Sequence, residues 1–350
     1  MKRKAPFGSF KSNKPIKETA GGGFKKIVFG VGIIVILTIM IPLLYVPLNN
    51  YLIKNELPVK SESWNIKLYD PESNTISEMT FEDYVCGIVA AEMSPASENE
   101  ALKAQAVASR SYILNKLQSG RIGAKAVHKG ADFCTDPNHC AAYVSIDSVK
   151  SGWEENSDEY VNKILSAVNE TNGEYLKYGN SVAAAYTFDL CGGRTENAKE
   201  IWGKSEPYLI SVDSPEDLGS PGLESILEFS RNEFYEKLKS KNDNIKLIEP
   251  VESMIEETQL SDGGSVLRIK IGGKWFKGSD ICELFNLPSR NFTISSNGEN
   301  IKFTVKGKGH GVGMSKYGAD AMAKQGYNYI AILNRYYPGT EFVNLYEELN

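Results

Sequence analysis

Four potential metal ligands lie close together in one polar loop of the sequence. The chain contains only three histidines and five cysteines, yet two of each fall within thirteen consecutive positions: His128, Cys134, His139 and Cys140. Two imidazoles and two thiolates form a tetrahedral set suited to Zn²⁺. Four protein ligands leave no position for water, which is typical of a structural rather than a catalytic zinc site. The alternative is a disulfide between Cys134 and Cys140, which an exported domain could form.

A carboxylate suited to proton transfer follows an apolar stripe nearer the N-terminus. Thr80 is a suitable N-cap for a helix, and Pro95 predicts that this helix ends near Met93. Glu92 continues the stripe in the last turn, where loss of hydration and the negative end of the helix macrodipole both favour the protonated acid. The pattern therefore predicts a general acid, unless Glu92 simply turns towards water. The stripe has the spacing of one helix face and consists of Phe81, Val85, Ile88 and Val89.

A second predicted helix follows at once and places two cations near that carboxylate. Ser97 and Glu100 have the spacing of a capping box, and Gly120 is expected to end the helix. Lys103 and Arg110 are seven residues apart, about two turns, so they share one face. They are suited to binding a polar or acidic ligand. The alternative is that they form ion pairs with nearby glutamates on a solvated face.

A glycine-rich stretch near the C-terminus, residues 307–318, has a glycine at every other position at its start. Its spacing fits neither the P-loop nor the dinucleotide-binding fingerprint, so nucleotide binding is not predicted. Glycines at this density allow a backbone or a bulky ligand to approach closely. We expect such a ligand to contact His310 and Tyr317, and we expect a helix to begin near Ser315.

The N-terminal part of the chain predicts a membrane anchor. Residues 1–26 carry eight lysines and arginines against one acid, which predicts a disordered tail on the cytoplasmic side. Residues 27–47 are uncharged and long enough to cross the hydrocarbon layer. A cleaved signal peptide is the competing interpretation, but the apolar run is long and no small-residue cleavage site follows it. Residues 48–63 then form a stalk.

Residues 64–350 are expected to form an extracytoplasmic α+β catalytic domain. Trp64 begins an alternating strand, the two helices follow, and further strands and helices succeed them. Residues from about 216 to 300 come after a loop rich in Ser, Pro and Gly and are expected to form a peripheral subdomain. The net charge of −5 and the absence of a basic stripe argue against nucleic-acid binding.

Five motifs, in this order, resemble the stage II sporulation protein D family over roughly Trp64 to Tyr346. They are Val89-Ala-Ala-Glu92-Met, Glu100-Ala-Leu-Lys-Ala-Gln-Ala-Val-Ala-Ser-Arg110, Gly192-Gly-Arg-Thr-Glu-Asn, Pro207-Tyr-Leu and Gly309-His-Gly-Val-Gly-Met-Ser-Lys-Tyr-Gly-Ala. The family usually has a Ser- and Thr-rich run before the double glycine. This chain instead reads Tyr186-Thr-Phe-Asp-Leu-Cys191, so the resemblance does not extend to a glycan contact through Ser and Thr hydroxyls at that position.

The resemblance implies a lytic transglycosylase anchored in the mother-cell membrane of an endospore former, on the mother-cell side of the engulfing septum. It would cleave MurNAc-GlcNAc strands already stripped of peptide and leave 1,6-anhydro-MurNAc ends. It also implies that Glu92 is the catalytic acid, that Lys103 and Arg110 hold the glycan, and that zinc is bound, as in some members. The implied partners are stage II sporulation proteins P, an amidase and endopeptidase, and M, a membrane scaffold.

A single carboxylate is sufficient for such a reaction. Glu92 would protonate the bridging oxygen and then remove the proton from the C6 hydroxyl as that oxygen closes on C1. A hydrolase would need a second carboxylate about 5 to 10 Å away, for which Glu196 is the candidate. Two other classes remain open: a zinc amidase, if one of the four ligands is unbound, and a glycan-binding scaffold of the engulfment machinery in which Glu92 only packs.

Overall fold

The computed structural model describes residues 64–120, 127–153, 156–246, 248–296, 298 and 300–347. These residues form a mixed α+β structure. Within these ranges, no helix combines the length and the apolar character needed to cross a membrane. The predicted tail, transmembrane helix and stalk, residues 1–63, lie outside the described residues and remain predictions.

A β-hairpin leads directly into the helix that carries Glu92. Strand β1 (Asn65–Asp70) pairs antiparallel with β2 (Thr75–Thr80) along its full length. Helix α1 (Phe81–Glu92) begins at the next residue, and the hydroxyl of Thr80 caps its first turn. The helix ends at the C-cap Met93. Both ends of α1 are therefore where the local sequence signals placed them.

Helix α2 (Asn99–Gln118) is the central helix of the larger hydrophobic core and packs against α1. Many of its buried side chains are alanine, which lets neighbouring elements approach closely. The predicted capping box is wrong, because α2 begins only after Glu98 and no side chain caps it. Ser97 instead donates its backbone N–H to Ser94 O in the connecting turn. Gly120 follows the helix end in a left-handed conformation, as expected.

Short strands join the predicted metal loop and the later chain to these helices. Strand β3 (Phe133–Cys134) pairs parallel with β1, so the first sheet has the order β2-β1-β3. A second sheet has the order β14 (Glu341–Asn344), β4 (Glu174–Tyr178), β5 (Ser181–Val182). Strand β6 (Thr187–Phe188) pairs parallel with β13 (Met314–Ser315). The remaining elements of this part are α3 (Ile146–Lys150), α4 (Ser157–Glu170) and α5 (Ala198–Trp202).

A second hydrophobic core is built from residues between Phe234 and Val305. It contains two three-stranded antiparallel sheets, with the orders β10-β9-β8 and β11-β12-β7. This core lies in the region for which the sequence predicts a peripheral subdomain, whose limits remain a prediction. Its elements are β7 (Glu224–Ser230), α6 (Arg231–Lys241), β8 (Ile255–Leu260), β9 (Val266–Ile271), β10 (Lys274–Lys277), α7 (Gly278–Phe285), β11 (Asn291–Ser296) and β12 (Asn300–Lys306).

The C-terminal part of the chain returns to the larger core. After the glycine-rich stretch come β13 (Met314–Ser315), α8 (Lys316–Lys324), α9 (Tyr329–Tyr336) and β14 (Glu341–Asn344). The sequence predicted a helix that begins near Ser315, and Ser315 is the N-cap of α8. Both α8 and α9 pack against α2. The start of α8 therefore lies beside the helices that carry the predicted site.

Candidate active site and metal centre

The end of α1 opens into a cavity of about 140 Å³ that contains Glu92. Residues of α2, of the predicted metal loop and of the chain around β6 complete its walls. Glu92 is the only carboxylate among the described residues that line the cavity. The other polar or aromatic side chains of the lining are Gln105, Ser109, Tyr112, Tyr186, Thr187 and His310. The cavity is thus mostly uncharged, with one group capable of acid catalysis.

Glu92 is half-buried and has a cationic partner. Its side chain is 28% exposed, and the Nζ atom of Lys316 lies 2.9 Å from its Oε2 atom. The same Nζ atom lies 2.6 Å from Asp189 Oδ1, and Lys308 pairs with Asp189 Oδ2 at 2.8 Å. The sequence predicted a carboxylate on the buried face of α1, with a side chain turned towards water as the alternative. Because α1 ends at this point, the Glu92 carboxylate loses less hydration than expected. The ammonium group that α8 supplies compensates part of that loss.

The pKa shifts show that both neighbours of Glu92 are charged at neutral pH. Burial alone would lower the pKa of Lys316, but the carboxylates of Glu92 and Asp189 outweigh it and raise that pKa. Burial would raise the pKa of Asp189, but hydrogen bonds and charges from Lys308 and Lys316 lower it. Lys316 is therefore a fixed positive charge beside the candidate acid.

His310 forms part of the opposite wall as an uncharged imidazole. The backbone N–H of Val312 donates to His310 Nδ1 over 3.0 Å, so the neutral ring carries its proton on Nε2. Burial, followed by the positive charges of Arg290 and Lys316, lowers the pKa of His310 to about 4. Tyr317 also follows the glycines, and its backbone N–H donates to the carbonyl of Asp189. Its half-buried side chain is outside the set of described residues that line the cavity.

Aromatic rings continue from the cavity to the surface. The ring of Tyr186 lies 5.3 Å from that of Tyr112 and 4.7 Å from that of Trp202, measured between centroids. Trp202 also contacts the ring of His310, at 5.0 Å. Trp202 ends α5 and is partly exposed. These rings give the cavity and its rim an aromatic, apolar face.

Glu196 lies away from this cavity. Its side chain is 3% exposed, and its Oε1 atom accepts the backbone N–H of Ser265 at 3.1 Å. The backbone of Gly263 packs so closely that a Cβ atom there would lie 2.5 Å from the Glu196 carboxylate. Among the described residues that line the Glu92 cavity, Glu196 is absent. The carboxylate that the structure brings next to Glu92 is Asp189.

Lys103 and Arg110 are held in ion pairs on another face of α2. Arg110 has no exposed side-chain surface, and its Nη2 atom lies 2.6 Å from Glu82 Oε2. Lys103 pairs with Glu100 at 2.7 Å and with Glu170 at 2.6 Å. The residues of α2 that face the Glu92 cavity are others. The structure therefore does not bring these two cations together with Glu92.

The four predicted metal ligands do come together. Their donor atoms all lie within 4.8 Å of one another. Cys134 Sγ lies 3.5 Å from His139 Nδ1, and Cys140 Sγ lies 3.5 Å from His128 Nε2. Metal–nitrogen and metal–sulfur bonds of about 2.0 and 2.3 Å give N···S edges of about 3.5 Å in a tetrahedron. The cysteines are free thiols, so this cluster could hold a metal ion.

The metal-ligand loop is fixed to the rest of the site from two sides. Strand β3, which contains Cys134, pairs with β1. The ammonium group of Lys116, from α2, donates to the carbonyls of His139 and Cys140 at 2.6 Å each. Between and after the ligands, Pro137, Ala141 and Ala142 line the Glu92 cavity. The loop that could hold a metal is therefore also one wall of the candidate active site.

Comparison with known proteins places this structure in a family. Residues 69–178, which include Glu92 and all four possible ligands, match the family described as "Stage II sporulation protein". The chain is 36% identical to stage II sporulation protein D of Bacillus subtilis over 81% of its length and 80% of that protein. The corresponding values for the Bacillus amyloliquefaciens protein are 35%, 82% and 80%. The chain belongs to the stage II sporulation protein D family.

A more distant relative is the amidase enhancer of Bacillus subtilis. It is 28% identical over 73% of this chain, but the match covers only 39% of the relative. The similarity therefore covers only part of the amidase enhancer.

Sequence reasoning missed Lys316 and Asp189 as neighbours of Glu92. Both lie within stretches that were noticed, Lys316 among the glycine-rich motif and Asp189 in the segment that departs from the family pattern. Their charges were not connected with Glu92, because 224 residues separate Lys316 from it. A lysine at the start of a helix is unfavourable for the helix dipole, and this was the one signal available.

Proposed function

We propose that the chain is a membrane-anchored lytic transglycosylase of peptidoglycan that acts during forespore engulfment. Its substrate would be peptide-stripped MurNAc-GlcNAc strands, and its product would carry 1,6-anhydro-MurNAc ends. The observation that carries this proposal is the cavity in which Glu92 is the single carboxylate among the described lining residues. Membership of a sporulation family supports the biological setting, and the relative named amidase enhancer agrees with a role at the cell wall.

The reaction needs one group that first gives and then takes a proton. Glu92 in its acid form protonates the bridging glycosidic oxygen as the bond from that oxygen to C1 breaks. The resulting carboxylate then removes the proton from the C6 hydroxyl, whose oxygen bonds to C1. The ammonium group of Lys316, 2.9 Å away, stabilises the intermediate carboxylate. Water is not consumed, so a second carboxylate is not required.

The neutral His310 fits this scheme. An imidazolium in the cavity would add a second positive charge next to a sugar that develops oxocarbenium character. Because the pKa of His310 is about 4, the ring stays uncharged at neutral pH. Its backbone hydrogen bonds, with the N–H of Val312 donating to Nδ1 and the ring donating to Thr187, hold the ring in place without adding charge. Tyr317, which follows Lys316, stays a proposed glycan contact at the rim.

Hydrolysis is the second candidate, and the position of Asp189 is the observation in its favour. Glu92 Oε2 and Asp189 Oδ1 share the ammonium of Lys316 at 2.9 and 2.6 Å. The two oxygen atoms are therefore close together, as the paired carboxylates of a retaining glycosidase are, which lie about 5 to 5.5 Å apart. However, both oxygens of Asp189 are paired with lysines, and Lys316 occupies the space between the two carboxylates. A nucleophile so engaged is poorly placed to attack C1.

We further propose that the metal is Zn²⁺ in a structural role. Two imidazoles and two thiolates match its preferred donors, and all four positions are filled by the protein. A structural ion would hold the loop whose residues line the cavity. A zinc amidase would need one ligand position for water and is less favoured by this set. The partnership with stage II sporulation proteins P and M remains a proposal from the family.

A glycan-binding scaffold is distinguished from an enzyme by the products. The full-length chain in detergent micelles would be incubated with peptide-free glycan strands, and the ends would be identified by mass spectrometry. Wild type is expected to give anhydro ends, and Asp189→Asn should retain them. Reducing ends that disappear in Asp189→Asn would establish the hydrolase instead. Binding without cleavage would establish the scaffold.

A further inference from the structure

One residue that lines the Glu92 cavity has a buried polar atom without a partner among the described residues. Gln105 is 2% exposed and lines the cavity from α2. Its Nε2 atom donates to Ser109 Oγ over 3.0 Å, but its Oε1 atom has no hydrogen bond from any described residue. An acceptor that is buried and unpaired costs free energy, so such atoms in native proteins call for an explanation. At the wall of a ligand cavity, the natural explanation is a ligand donor.

We propose that Gln105 binds the acetamido group of an N-acetyl sugar that adjoins the bond cleaved at Glu92. The Oε1 atom accepts a hydrogen bond from the acetamido N–H. This inference rests on the proposed function, because it assigns a substrate group to the same cavity. It makes the enzyme selective for N-acetylated over N-deacetylated strands.

The walls around Gln105 match the rest of an acetamido group. Ala141, Ala142 and Ala185 line the same cavity with small apolar surfaces, suited to the acetyl methyl group. Tyr112 and Tyr186 add aromatic surface for the C–H groups of the pyranose. A sugar hydroxyl would satisfy the oxygen of Gln105 equally well, but it would leave the alanine surfaces without an apolar partner.

The conclusion does not depend on which way the Gln105 amide is oriented. The hydroxyl of Ser109 can accept or donate, so either end of the amide can face it. The end of the Gln105 amide that is not bonded to Ser109 then meets the ligand, as an acceptor if it is the oxygen and as a donor if it is the nitrogen. An acetamido group offers both an N–H and a carbonyl, and so complements the amide in either orientation.

The test compares two forms of one substrate. Peptide-free glycan strands would be fully N-acetylated in one sample and largely N-deacetylated in another, and kcat/KM for release of anhydro ends would be measured with the full-length chain. Wild type should prefer the acetylated strands by roughly tenfold or more, because deacetylation removes the methyl group that packs on the alanine surfaces and places an ammonium charge in a mostly uncharged cavity. Gln105→Met should lower kcat/KM on the acetylated strands, because it removes the acceptor of the acetamido N–H.

Gln105→Glu gives a sharper outcome. Its carboxylate would pair with the ammonium group of a deacetylated sugar, so the ratio of kcat/KM values should move towards the deacetylated strands. Gln259→Met, at an exposed position on β8, is the matched control and should behave as wild type. Zinc content and melting temperature would confirm that each variant is folded.

The failures are distinguishable. Anhydro ends released equally from both strands by wild type, or an unchanged preference in both Gln105 variants, would overturn the acetamido site while leaving the transglycosylase intact. No anhydro ends from either strand would overturn the proposed function and the subsite with it.

Discussion

Replacing Arg110 by alanine should destabilise the fold strongly without a direct effect on glycan binding. Arg110 is fully buried, and its guanidinium group donates to Glu82 through both Nε and Nη2 and to the carbonyl of Glu174 through Nη1. The hydroxyl of Tyr346 also donates to Glu82. The pair therefore joins α1, α2, β4 and the C-terminal segment.

The magnitude follows from burial. Removing one partner of a buried ion pair leaves the other charge uncompensated and costs about 3 to 5 kcal/mol. The side chain of Arg110 is 0% exposed and that of Glu82 is 14% exposed, which places this pair in that class. The matched control is Arg194→Ala. Arg194 pairs with Asp213 on the surface, at 46% and 78% exposure, so its loss should cost about 0 to 1 kcal/mol.

The free energy of unfolding would be measured by urea denaturation of the full-length chain in detergent micelles. Cleavage would be measured separately, per folded molecule, below the unfolding transition. Glu82→Gln and the double variant would complete a cycle and give the coupling between the two side chains. If Arg110→Ala proves as stable as Arg194→Ala but binds glycan more weakly, the structural role is wrong and the family-based expectation of glycan binding is right.

Three further predictions concern the metal loop, packing and pH. The chain should contain one zinc ion by elemental analysis. Lys116→Met removes the hydrogen bonds to the carbonyls of His139 and Cys140, so it should weaken zinc binding about 10- to 100-fold in a chelator titration. Gly318→Ala should cost about 1 to 3 kcal/mol in urea denaturation, because the added Cβ would lie 2.2 Å from the hydroxyl oxygen of Tyr336; an unchanged midpoint would contradict the packing. Folding lowers the pKa of His310 from 6.5 to about 4. As pH falls, the unfolded chain therefore takes up a proton on this ring before the folded chain does. The contribution of the neutral His310 to the free energy of unfolding is present above pH 6.5 and is lost as pH falls towards 4. His310→Gln should flatten this part of the stability profile, and equal slopes in both proteins would refute the assignment.

Local signals in the sequence were sufficient for the elements around the site. The apolar stripe, Thr80 and Pro95 defined α1, and Ser315 marked the start of α8. The metal cluster was also visible, because its four ligands are close in sequence and rare in composition. In each case, the information lies within one turn or one loop.

Contacts between distant segments were beyond the sequence. The sequence predicted burial of Glu92 but not its ion pair with Lys316, because that pair depends on how α8 packs beside α1. Helical spacing predicted that Lys103 and Arg110 share one face, but it does not tell which partners a face meets. Glu82 and Glu170 became known only with the packing of α1 and α4. The predicted capping box does not form, because the backbone N–H of Ser97 donates to Ser94 O in the turn after Met93.

The central claim is that Glu92 alone performs both proton transfers. Its most direct test is mass spectrometry of the products released from peptide-free glycan strands by wild type and by Glu92→Gln, which keeps the shape but cannot exchange a proton. We expect 1,6-anhydro-MurNAc ends from wild type and a loss of about 10²- to 10⁴-fold in the variant. Undiminished anhydro ends from Glu92→Gln, or reducing ends from wild type, would contradict the claim.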